Sequence, residues 1–76
     1  MHNYNLRLRS LREDREPKTN QTEIAELLGI SQQYYSQYEK GLRPLPIEHL
    51  ITLCKFYDVS ADYILGLPKG MKYPER

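Results

Sequence analysis

The spacing of apolar side chains divides the chain into five helical stretches. Tyr4, Leu8 and Leu11 recur at intervals of four and three, which puts them on one face of a helix from Asn3 to Arg15. Pro17 closes that helix, because the residue before a proline is pushed out of helical geometry. In "NQTE", Asn20 caps a second helix and Glu23, three residues on, reaches back as a capping box. Ile24, Leu27 and Leu28 form its apolar stripe, and Gly29 suits the left-handed position that ends it. Ile30 turns the corner. Ser31 caps a third helix that runs to about Lys40. "GLRPLP", with a glycine and two prolines, reads as a loop, and Pro46 fits the first turn of a fourth helix. Its expected face is Ile47, Leu50, Ile51 and Cys54, with Leu53 and Tyr57 beside it. Ser60 caps a short fifth helix through Leu65, and "GLPKGMKYPER" reads as a tail or linker. No repeat or β-alternation breaks the pattern, so the expected fold is all-α.

The third helix stands apart from the others. "QQYYSQYE" crowds amides and tyrosines together, and only the tyrosines suit a core. At about 100° per residue, Tyr35 and Tyr38 share one side with Glu39 flanking them. Gln33, Ser36 and Gln37 occupy the opposite side, Gln32 sits at the amino-terminal edge, and Tyr34 lies on the border. A merely solvated face is the bland account of such amides, although lysine and glutamate would serve it better. The sharper account is a partner with edges to hydrogen-bond: a glutamine amide accepts and donates at once, which matches adenine in the DNA major groove.

Composition narrows the possibilities. A chain of 76 residues is one domain with a modest core and no room for a large catalytic cleft. With 28% charged and 39% hydrophobic residues it is globular in character, and a net charge of +1 means that a nucleic-acid role must rest on a local patch. The single cysteine excludes an internal disulfide and a cysteine-rich metal site. "MHNYNLRLRS" lacks the apolar core of a signal peptide and no run reaches membrane-spanning length, so a cytoplasmic location is expected.

Two helices joined by a few residues with a central glycine form a helix-turn-helix signature. "NQTEIAELLGISQQYYSQYEKG" resembles the DNA-binding domain of the Cro and phage-repressor type, also called the xenobiotic-response-element family. The resemblance covers roughly Leu6 to Gly66 and rests on Gln21, Ala25, Gly29, the apolar positions Tyr35 and Tyr38, and the closing Glu39-Lys40-Gly41. "PIEHLITLCKFYDVSADYILG" is similar to that family's fourth and fifth helices. The resemblance implies a compact five-helix bundle of the lambda-repressor-like type over residues 1–67, with 68–76 as tail. Ala25 and Gly29 have structural reasons of their own. A small side chain lets the two helices cross closely, and glycine allows the positive backbone angle of the turn.

For function, the resemblance implies a transcriptional regulator, most simply a repressor, that binds a double-stranded operator as a homodimer. It assigns base contacts to the third helix, here Gln32, Gln33, Tyr34, Ser36 and Gln37. Phosphate contacts are expected on either side of that helix: at Asn20 and Gln21, where the second helix begins, and at Lys40 and Arg43, just beyond the third. Asn20 serves equally well as a simple cap, and the two cations as solvated charges. Arg12 resembles the family's helix-one arginine that pairs with Glu39, but "REPKTN" is longer than the usual connection and leaves that pair open by about a turn. Tyr63, Leu65 and Leu67 are candidates for a two-fold contact, or else they close the domain's own core.

Little else in the chain suggests chemistry. His2 and His49 have no second ligand at metal spacing, and Cys54 sits on an apolar face as a core residue would. No phosphate loop or catalytic pairing is present, so no enzyme, cofactor, metal or small-molecule substrate is expected. The alternatives to an operator-binding regulator are a protein-interaction module, of the antitoxin or anti-regulator kind, and the DNA-binding half of a longer sensor protein.

Overall fold

The computed structural model describes residues 4–68, and all regular structure in them is helical. In chain order the helices are α1 (Tyr4–Glu13), α2 (Gln21–Leu28), α3 (Gln32–Glu39), α4 (Ile47–Tyr57) and α5 (Ala61–Leu65). Three begin on side-chain caps. Asn20 Oδ1 accepts the Glu23 N–H at 2.9 Å while the Glu23 carboxylate accepts the Asn20 N–H at 3.5 Å, completing the expected capping box. Ser31 and Ser60 cap α3 and α5 in the same way, at 3.1 and 3.2 Å. Gly29 takes φ 74°, so the chain leaves α2 and re-enters helix within three residues.

α1 stops at Glu13, two residues before its expected end, and Asn3 lies outside the described residues. The "REPKTN" connection then folds back against α1. The Thr19 N–H donates to the Arg12 carbonyl and Arg12 Nη1 donates to the Thr19 carbonyl, both at 3.3 Å. This latch absorbs the extra loop length without displacing α2. Pro46 sits at the N-cap of α4, one position before the first turn expected for it.

The core gathers Tyr4, Leu8, Ile24, Ala25, Tyr35, Tyr38, Leu53 and Ile64 from all five helices. Two expectations about its membership need correction. The buried side of α2 centres on Ile24 and Ala25, which turns Leu27 outward into solvent. On α4 the core residue is Leu53, fully buried, whereas Ile47 and Ile51 are 73% and 48% exposed. On an ideal helix Ile51 lies about 160° around from Leu53, so seating Leu53 inward necessarily rotates Ile51 away. Burial of Ala25 keeps α2 and α3 in close contact, since nothing beyond a β-carbon separates them there.

Candidate nucleic-acid interface

The outward side of α3 is held in place by what its inward side touches. Tyr35 and Tyr38 are both fully buried and meet edge to face, with ring centroids 6.1 Å apart. The Tyr38 hydroxyl hydrogen-bonds His49 Nδ1 on α4 at 3.1 Å, so His49 is a packed, half-buried residue. The Tyr57 hydroxyl is buried with no hydrogen-bond partner among the described residues, and the buried Tyr35 hydroxyl lies beside the Glu39 carboxylate without meeting full hydrogen-bond geometry. Burial raises both phenols, Tyr57 to about 12, and both stay protonated at neutral pH.

Beside the tyrosines runs a polar relay from α1 to the tip of α3. Arg12 Nε and Nη2 donate to the two Glu39 carboxylate oxygens at 2.8 and 3.0 Å, a bidentate pair that the longer loop leaves intact. Gln21 Nε2 donates to Glu39 Oε1 at 3.0 Å, and Gln32 Nε2 donates in turn to Gln21 Oε1. Burial alone would lift the Glu39 carboxyl, but its donors outweigh burial and hold it below the usual carboxylate range, Arg12 foremost. The hydrogen bond to Glu39 holds the Arg12 guanidinium above its ordinary value. The relay fixes Gln32 at the start of α3, with its carbonyl oxygen and one N–H without a partner among the described residues.

The residues singled out on α3 fall into three settings. Gln33 is exposed, with no side-chain partner among the described residues. Tyr34 is 38% exposed and leans edge-on against Tyr38, ring centroids 5.7 Å apart. Ser36 is half-buried at a small pocket whose rim includes Arg9 and Lys40. Arg43, from the loop after α3, lies over the Tyr34 ring at 4.4 Å and donates through Nε to Gln37 Oε1 at 2.6 Å. Asn20 and Gln21 join this surface at the start of α2, with Gln32 as the bridge, while Lys40 is exposed at the C-cap of α3.

Two features of this surface escape sequence reasoning. The Gln21–Gln32 bond depends on the angle between α2 and α3, and the seating of Arg43 depends on the path of a loop. The nearest sequence signal is that Tyr34 and Gln37 are three residues apart and so share a face. Away from the surface, His2 lies outside the described residues, and burial raises the Cys54 thiol. The described residues contain no cluster of three or more potential metal ligands and no helix long and apolar enough to cross a membrane.

Two helices crossing over an alanine, joined through a left-handed glycine, with the second turning amides outward, define a helix-turn-helix domain. The chain belongs to the helix-turn-helix family of the Cro and phage-repressor type, whose family model matches residues 8–64. It is 42% identical over 64 residues to the uncharacterized HTH-type transcriptional regulator YobD of Bacillus subtilis (strain 168), covering 84% of this chain and 55% of that protein. It is 38% identical over 55 residues to the HTH-type transcriptional regulator ImmR of the same organism, covering 72% of this chain and 43% of ImmR. The crystal structure of a transcriptional regulator from Listeria innocua superposes with a TM-score of 0.81 at 26% identity, covering 97% of this chain and 67% of that one. The chain spans about half the length of the curated relatives it matches.

Proposed function

We propose that this chain binds double-stranded DNA sequence-specifically as the DNA-binding domain of a transcriptional regulator, with α3 lying in the major groove. One observation carries the reading above the others. The Arg12–Glu39–Gln21–Gln32 relay holds the first residue of α3 in a single orientation, next to the free amide of Gln33. A solvated face has no need of such a support, whereas a base reader does, because pairing with a base edge demands fixed geometry.

On this reading Gln32 and Gln33 read base edges, with Tyr34, Ser36 and Gln37 beside them. Asn20 and Gln21 meet a phosphate at the start of α2. The Gln21 side chain is already engaged within the protein, so its contribution there is the backbone N–H. Lys40 grips the backbone at the other end of α3. The role is binding and not catalysis, and repression by occupying an operator is its simplest form. Exposed Tyr63, Leu65 and Leu67 at the end of α5 support a homodimer on two half-sites about one helical turn apart.

Selection of bound sequences from a random duplex pool tests the proposal. A symmetric enriched motif is the expected result. No enrichment at moderate salt would contradict it and would favour a protein partner for the same surface.

A further inference from the structure

We propose that Arg43 is a base-reading residue of the same surface, directed at guanine, and that Gln37 helps to orient it. This inference rests on the DNA-binding reading above and assigns to Arg43 a different job from the phosphate contact that its loop position suggests.

The seating of Arg43 is built outward from the core. Tyr38 is fully buried and anchored to His49, Tyr34 leans on Tyr38, and the Arg43 guanidinium covers the Tyr34 ring at 4.4 Å. Its Nε is occupied by Gln37 Oε1 at 2.6 Å. Two contacts at right angles in kind, a ring face and an in-plane hydrogen bond, fix both the plane and the rotation of the guanidinium. A phosphate could take the same fork, and what points to a base is its seat: the guanidinium is held against Tyr34 and Gln37, residues of the recognition helix itself. The end of the fork, Nη1 and Nη2, has no hydrogen bond among the described residues. Two parallel N–H donors in a fixed plane match the O6 and N7 acceptors of guanine, which no other base presents together in the major groove.

The same hydrogen bond sets the part that Gln37 plays. Arg43 takes one lone pair of its carbonyl oxygen, and the amide keeps the other lone pair and both N–H donors. Gln37 therefore orients the guanidinium while its N–H donors still face acceptors such as thymine O4. Gln33, with neither group engaged among the described residues, has its whole amide for an adenine edge. Two glutamines on one helix are thus given different settings by a residue outside that helix.

The test repeats the random-duplex selection with wild type, Arg43→Lys and Tyr34→Leu, with circular dichroism to confirm that each variant is folded. Arg43→Lys keeps the charge and loses the planar fork. The expected result is a wild-type motif with a guanine in each half-site whose preference falls at least about tenfold in Arg43→Lys. Tyr34→Leu, which removes the stacking platform, weakens the same position, and the remaining positions keep their preferences. Replacing that guanine by 7-deazaguanine, which lacks N7, reproduces the loss for wild type and leaves Arg43→Lys unaffected. An unchanged motif in Arg43→Lys, with affinity for all sequences kept or lowered alike, overturns the inference and returns Arg43 to the phosphate backbone. A wild-type pool with no enrichment is a separate outcome, which overturns the DNA-binding reading and this inference together.

Discussion

Helices α3 and α4 face each other across the Tyr38–His49 hydrogen bond, yet they divide their surfaces in opposite ways. α3 has eight residues, and its two buried tyrosines and buried Glu39 occupy one side while amides fill the other. α4 has eleven residues with apolar or aromatic side chains on nearly every side, and only Leu53 is buried completely. Sparse apolar residues leave one way to seat a helix, whereas abundant ones leave several. The helix with the fewest hydrophobic side chains is therefore the one whose orientation is specified most sharply, and the recognition face depends on that sharpness.

Truncation of the two adjacent tyrosines of α3 gives the largest contrast. Tyr35→Ala opens a cavity in the core and costs about 3–5 kcal/mol, a large part of the stability of a small domain. Tyr34→Ala costs about 1 kcal/mol, because its partly exposed ring gives up only the edge contact with Tyr38 and the Arg43 contact, while it weakens DNA binding. Thermal unfolding of the pair measures both values. Reversed losses would mean that α3 is rotated by a residue and that Gln33 and Gln37 do not face outward.

On α4 the same comparison is smaller and points the other way from the sequence pattern. Leu53→Ala costs about 2–4 kcal/mol and Ile51→Ala less than about 1 kcal/mol, read by urea denaturation. Equal losses would show that α4 has no preferred face.

The relay gives a pH-dependent effect. The Glu39 carboxyl is held below its unfolded value, so the stability it contributes is full above the unfolded pKa and is lost as pH falls through the folded one. Arg12→Ala removes the strongest donor and strands a buried carboxylate, at a cost of about 3 kcal/mol near neutral pH. That cost shrinks in acid as Glu39 protonates. Denaturation midpoints of both proteins across the acid range check this, and a penalty independent of pH would place the role of Arg12 in packing alone. A weaker effect is expected just beyond α5 on the proposed homodimer, where Leu67→Asp shifts the protein toward monomer in sedimentation without unfolding it.

Much of the fold is legible in the chain because caps and turns are local. Asn20, Glu23, Gly29, Ser31 and Ser60 each act on residues within a turn, and each takes its expected place. Tyr35 and Tyr38 are legible for the reason already given. The seating of α4 is not, because Ile47, Leu50, Ile51, Leu53 and Cys54 support more than one face and only tertiary contact chooses Leu53. The Arg12–Glu39 pair depends on how a six-residue loop folds back through Thr19, which spacing alone cannot reveal. Gln21 has the same difficulty: its first-turn position suggests an anion, while its side chain closes a relay between three helices.

The central claim is that the outward face of α3 distinguishes one DNA sequence from another, and Gln33 tests it most directly because no group among the described residues shares its amide. Affinities of wild type and Gln33→Ala for a selected site and for a scrambled duplex, at one salt concentration, are the measurement. A loss of about 1–3 kcal/mol on the selected site with little change on the scrambled duplex is the predicted result. Equal losses on the two duplexes, or none on either, would contradict it.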